Sequence, residues 1–179
     1  MRLRRIRPDE GELLRRLRLG ALADVPSAFD STLTRERELP AAEWHRRARA
    51  GAEGDSAVTF VVEDGTEVVG LVTGLWDGDG EHGAQVVSMW VDRRARGRGI
   101  GRLLLDAVVD WAVRRGAPRA ELWVTDGNDP ARRLYEQAGF VPTGVRAPLD
   151  SNPALTGIEL VLPRIGERPP PGCPGIRTG

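Results

Sequence analysis

The sequence predicts an α+β domain in which a mixed, mostly antiparallel sheet of about seven strands carries helices on both faces. Three observations support this. The apolar pattern switches between strand and helix periods several times along the chain. A meander of three strand-like runs occupies the middle. Downstream of it, an amphipathic segment is followed at once by a short apolar strand, which makes a helical crossover.

The elements follow in order. Leu3 to Ile6 reads as a short opening strand. Pro8-Asp9-Glu10 starts a helix with Leu13, Leu14, Leu17 and Ala21 at helical spacing and arginines opposite. A loop over Val25–Phe29 leads to a second helical region, with Pro40 near its start, Trp44 within it and Gly51 as its expected stop. Ala57 to Val62 is a β-branched run. Asp64-Gly65 marks a hairpin, and Val68 to Trp76 returns. The Gly-rich stretch Asp77–Gly80 precedes a strand over Ala84–Val91. Ile100, Leu103, Leu104, Ala107, Val108 and Trp111 then share one helix face, closed by Arg114-Arg115-Gly116. Ala120–Thr125 fits a buried strand. Asp129-Pro130 reads as a cap with proline at the first helical position, opening a helix that ends at Gly139. Strands near Val141–Arg146 and Ile158–Leu162 complete one domain over 1–162, and the Pro/Gly-rich segment 163–179 is expected to be a disordered tail.

Composition narrows the function classes. Acidic and basic residues balance at 26 each, so no global field attracts nucleic acid or an anionic membrane. Every basic residue is arginine, which removes lysine as nucleophile, Schiff base or P-loop ligand. Cys173 is alone and there are two histidines, which argues against a disulfide framework or a multi-cysteine metal site. No apolar run has the ~18 residues of a membrane span, and the N-terminus lacks a signal-peptide core. A soluble cytoplasmic protein is expected.

The chemistry concentrates in the turn Arg96-Gly97-Arg98-Gly99-Ile100-Gly101 and the following Arg102, between a strand and a helix. The first helical N–H groups lack intrahelical partners and the macrodipole is positive there, so the turn suits an anion. Gly97, Gly99 and Gly101 allow close backbone approach, and Arg96, Arg98 and Arg102 add guanidinium donors. A P-loop is excluded because it needs lysine. A dinucleotide fingerprint starting at Gly99 places its third glycine at Leu104.

The stretch Met89 to Arg102 resembles the coenzyme A motif of the GCN5-related N-acetyltransferase (GNAT) superfamily, matched at Arg96, Gly99 and Gly101. A second segment, with Asn128, Ala131, Tyr135, Gly139 and Phe140, resembles the family's N-x-x-A-x-x-x-Y-x-x-x-G-F pattern. The resemblance implies that the fourth and fifth strands splay and that the pantetheine arm of acetyl-CoA lies between them. It implies that backbone groups of Met89 and Val91 pair with that arm and that Gly97 to Arg102 wraps the pyrophosphate. Asn128 would hold the pantetheine, and Tyr135, the single tyrosine, would be the general acid at the sulfur. The implied reaction is acetyl transfer from acetyl-CoA to a primary amine by direct attack in a ternary complex.

The base is open. Some family members place a glutamate where Trp123 stands here, which leaves Glu121, Glu81, His82 or relayed water. The acceptor side would comprise Phe29–Thr32, Glu36, Glu38, Trp44, Trp76 and the loop from Arg146 to Pro153. The acceptor would be a small-molecule amine or a protein N-terminus. A homodimer through the last strands is compatible, and a non-catalytic acyl-CoA sensor is the alternative.

Overall fold

A computed structural model describes residues 1–76, 78 and 82–165. Its seven strands are β1 (Arg2–Arg5), β2 (Ala57–Asp64), β3 (Glu67–Leu75), β4 (Ala84–Val91), β5 (Ala120–Thr125), β6 (Val141–Leu149) and β7 (Asn152–Leu162). They form one sheet in the order β1-β2-β3-β4-β5-β7-β6. Every neighbouring pair is antiparallel except β4 and β5. The parallel pair is the one joined by a helical crossover, as a parallel connection requires.

The helices are α1 (Gly11–Asp24), α2 (Leu33–Arg37), α3 (Ala41–Glu53), α4 (Ile100–Arg115) and α5 (Asp129–Gln137). Strand alternation sorts them to two faces. Val58, Phe60, Val62 and Val72 join Ile100, Leu104, Val108 and Trp111 of α4 in the larger core cluster. The intervening Val61 and Leu71 join Leu14, Leu17, Trp44 and Ala48 of α1 and α3 in a second cluster. Burial on both faces explains the unbroken apolar run at Val58–Val62. Trp111 crosses between layers, its Nε1 donating to the Gly54 carbonyl at 2.8 Å.

The expected architecture holds, with local corrections. Helix α3 runs past Gly51 to Gly54, which takes the left-handed conformation at φ +80. Gly51 is buried mid-helix because a Cβ there would lie 2.6 Å from Thr59 Oγ1. Asn128, not Asp129, caps α5, its side chain accepting from Ala131 N. Strands β6 and β7 are longer than expected, running through Pro142, Pro148 and Pro153. β6 is an edge strand, and Pro153 lies in the part of β7 that does not pair with β5, so both stretches tolerate a residue with no N–H to give a ladder. Ile165 is fully buried in the larger cluster, so the ordered domain extends beyond the boundary expected at 162. The rest of the tail, from 166, lies outside the described residues.

Candidate coenzyme-binding cleft and active site

The sheet is interrupted at its centre. Strands β4 and β5 pair only at Ala84–Ala120 and Gln85–Glu121. Beyond that point β4 continues to Val91 and β5 to Thr125 without pairing to each other. On its other side β4 stays paired with β3 up to Val91, whereas β5 pairs with β7 along its whole length. A wedge therefore opens between two edges that present backbone donors and acceptors, which suits an extended ligand carrying amides.

A bulge shapes one wall. The β3–β4 register slips between Leu71 and Thr73, whose partners are Trp90 and Val87, so β4 carries one extra residue. Ser88 sits in that bulge at φ +56, one of two non-glycine residues with positive φ among those described. A left-handed serine inside a strand is strained, and bulges of this kind redirect backbone groups. Here the redirected stretch is Ser88 to Val91, and it includes the expected Met89 and Val91.

The wedge leads to the Arg/Gly turn. Asp92 caps a 3₁₀ turn over Arg93–Ala95, accepting from Arg94 N at 2.9 Å. Gly97 and Gly99 then take φ +77 and +78, and Gly99 heads α4 with no side-chain cap. Open space surrounds the Cβ positions of both, as an approaching diphosphate requires. Gly101 has a packing role as well: a Cβ there would sit 3.0 Å from Leu134 Cδ2, so this glycine lets α5 approach α4.

The three expected guanidinium donors all have protein partners. Arg96 donates to the Val91 carbonyl at 3.0 Å and pairs with Asp24. Arg98 pairs with Asp64 at 2.6 Å, and Arg102 with Asp106 at 2.8 Å and with the Gln137 carbonyl. These pairs lie at the surface, where solvent screening leaves them weaker than a charge-assisted bond to a phosphate. Asp24 also accepts from Trp90 Nε1 at 3.0 Å and pairs with Arg93. Partial burial raises the Asp24 pKa, but the Trp90 hydrogen bond and the nearby arginines outweigh it and hold the carboxyl below its ordinary value.

Across the wedge, α5 presents two expected residues. The Asn128 carbonyl oxygen is engaged in capping at 3.4 Å from Ala131 N, which leaves the amide N–H₂ to donate elsewhere. Tyr135 is buried beside Phe140, with ring centroids 6.2 Å apart at 57°. Burial pushes its phenol up to about 12, so it keeps its proton at neutral pH.

The base candidates fare poorly. Glu121 lies at the closed end of the wedge, where its Oε1 accepts from Arg119 Nε at 2.5 Å and Gly83 N at 3.1 Å. Trp123 is 46% exposed on β5 and offers no proton acceptor. His82 lines a small recess with Trp76 and Gln85 near the same closed end, and Glu81 lies outside the described residues. On the acceptor side, the loop after α1 docks on the β6–β7 turn. Ser151 Oγ donates to the Phe29 carbonyl at 2.8 Å, and Ser151 N donates to Asp30. Glu36 was expected there as part of the acceptor pocket. It is buried instead, bonded to Arg18 and Arg47, each at 3.2 Å. Sequence reasoning missed the Ser88 bulge, since a single serine in an apolar strand carries no such signal.

Comparison with known proteins agrees with this geometry. The Acetyltransferase (GNAT) family model matches residues 23–140. A mycothiol acetyltransferase from Beutenbergia cavernae is 42% identical over 92 residues, covering 41% of this chain and 30% of that protein. One from Rhodococcus opacus is 32% identical over 138 residues, covering 77% of this chain and 43% of that protein. The chain thus spans less than half the length of these relatives. The spermidine N-acetyltransferase of Vibrio cholerae, solved with CoA and spermine, superposes with a TM-score of 0.71 at 18% identity, over 91% of this chain and 95% of that one. A wedge between two parallel strands, a bulge on one wall and an uncapped helix start at its mouth coincide with a family match across most of the domain, and the chain belongs to the acetyltransferase (GNAT) family.

Proposed function

We propose that this chain is an N-acetyltransferase that moves an acetyl group from acetyl-CoA to a primary amine by direct attack in a ternary complex. The observation that carries the reading is the β4–β5 wedge opening onto the uncapped start of α4. In this reading the backbone of Gly97 to Arg102 holds the pyrophosphate, and Arg96, Arg98 and Arg102 exchange surface carboxylates for phosphate oxygens. Backbone groups of Met89 and Val91 pair with the pantetheine amides, and Asn128 donates its amide hydrogens to the same arm.

Transfer forms a C–N bond and breaks the C–S bond of the thioester. The amine nitrogen loses a proton and the sulfur gains one. N–H groups turned by the Ser88 bulge would face the carbonyl oxygen as it becomes negative. Tyr135 donates to the leaving sulfur. A phenol near 12 facing a thiol near ~8.5 stabilises the thiolate by hydrogen bonding more readily than by complete transfer, and the sulfur takes its proton from the water that carries away the amine proton. With Glu121 tied to Arg119 and tryptophan at 123, the amine proton leaves through water. The acceptor is a small-molecule amine or a protein N-terminus, and the lone Cys173 supports a reducing, cytoplasmic setting.

Calorimetric titration with acetyl-CoA, followed by an amine panel that monitors released thiol, tests the reading. Saturable binding and turnover of at least one amine are expected. Absence of binding removes the proposal, and binding without transfer to any amine would make the chain an acyl-CoA sensor.

A further inference from the structure

On the α1/α3 face of the sheet lies a cavity of about 330 Å³, bounded by α1, α3 and strands β2 to β4. Val87 and Ser88 line it, so one end of it abuts β4 at the bulge. Its size falls at the small-ligand end of the range for binding sites. Arg18, Arg46, Arg47 and Trp44 line it, and no carboxylate does so among the described residues.

The charges behind this lining do not balance. Glu36 is shared by Arg18 and Arg47, and Glu43 by Arg46 and Arg47. Three guanidiniums thus share two carboxylates, and one positive charge remains. Two donors are also unused: Arg18 Nη1 and Trp44 Nε1 are buried without a hydrogen-bond partner among the described residues. Trp44 has no solvent exposure at all, and buried N–H groups of native proteins are nearly always bonded. Arg18 is held in place by Glu36 on one side and by the Phe29 ring, 4.7 Å from its guanidinium carbon, on the other. Burial lowers its pKa against the pull of Glu36, so the cation is poorly solvated and gains from an added anion.

We infer that the acceptor is a small amine bearing a carboxylate. Its oxygens engage Arg18 Nη1 and Trp44 Nε1 after a small side-chain adjustment, while its amine reaches the thioester at the Ser88 end of the cavity. The inference rests on the acetyltransferase reading and names the substrate class for that site. A polycation is disfavoured, because the cavity would set it against three guanidiniums with no carboxylate on the wall.

The test is a panel of α- and ω-amino acids of graded length, each paired with its own uncharged carboxamide and with a diamine of equal length, assayed after acetyl-CoA binding has been measured. At least one acid should exceed its carboxamide by about tenfold to a hundredfold in kcat/KM, the range a hydrogen-bonded charge supplies. Trp44→Phe keeps a smaller aromatic ring and removes the donor. It should erase most of that ratio by raising KM for the acid more than for its carboxamide, with a melting curve to show that the fold survives the loss of volume at this buried position. Arg18→Gln should do the same more strongly, with a melting curve to show that the fold survives. Carboxamides or diamines turned over as well as the acids, no acid turned over at all, or a ratio unmoved by Trp44→Phe would each overturn the inference. Failure to bind acetyl-CoA would remove the underlying reading as well, so the two failures are told apart.

Discussion

Tyr135 shows how one residue's environment decides its chemistry. Its ring packs in the larger core cluster beside Phe140, and desolvation alone raises the phenol pKa from 10.0 to about 12. Removing the hydroxyl while keeping the ring should leave packing against Phe140 intact. Tyr135→Phe is therefore expected to lower kcat by ~10²–10⁴ with acetyl-CoA affinity nearly unchanged, as stopped-flow turnover and calorimetry would show. Unchanged turnover would take Tyr135 out of the mechanism. The same shift has a thermodynamic consequence. The folded state holds the phenolic proton more tightly than the unfolded chain, so this stabilisation is complete below pH 10 and declines as pH rises toward about 12. The stability of wild type relative to Tyr135→Phe should fall across that alkaline window, by about 2–3 kcal/mol if the full shift is realised.

At the level of elements, two glycines in helices make opposite predictions. Gly20 lies on the exposed face of helix α1 with open space where a Cβ would go, so Gly20→Ala should raise stability by about 0.8–1 kcal/mol through helix propensity. Gly51 lies in α3, where a Cβ would meet Thr59 Oγ1 at 2.6 Å and Thr59 N at 3.2 Å. Backbone cannot swing aside as a side-chain tip can, so Gly51→Ala should cost about 1–3 kcal/mol despite the better propensity. Urea midpoints of the two variants, shifting in opposite directions, check the pair. Gly51 also shows where sequence reading stops. As a glycine near a helix end it resembles a stop signal, and only the neighbouring strand reveals its packing role. Helix α4 and the turn before it were legible because apolar spacing and glycine chemistry are local. The Ser88 bulge, the burial of Glu36 between two arginines and the early start of β7 depend on partners distant in sequence. Asn128 is instructive for a different reason: the residue was singled out, but its capping bond shows that its amide hydrogens, not its oxygen, are available to a ligand.

Across the whole molecule, the sheet consists of two blocks that meet at two residue pairs. Strands β1 to β4 form one block with α1 and α3 on one face and α4 on the other, and β5, β7 and β6 form the second. The blocks are held together below the wedge by the Ala84 and Gln85 pairings, and elsewhere by the shared core beneath α4 and α5. An extended ligand that bonds to both open edges would add cross-links the free protein lacks. Acetyl-CoA should therefore stabilise by mass action, by about 2.7 kcal/mol at a hundredfold excess over Kd. For a chain of 179 residues that corresponds to a rise in Tm of roughly 5–11 °C. Its distribution is the sharper expectation. Hydrogen exchange should slow at those amides of Val86–Val91 that are not bonded to β3 and at Gly97–Arg102, while β1 and β6 at the two outer edges stay unchanged. A thermal shift with uniform protection would mean general tightening without occupation of the wedge, and would move the coenzyme site away from the β4–β5 gap.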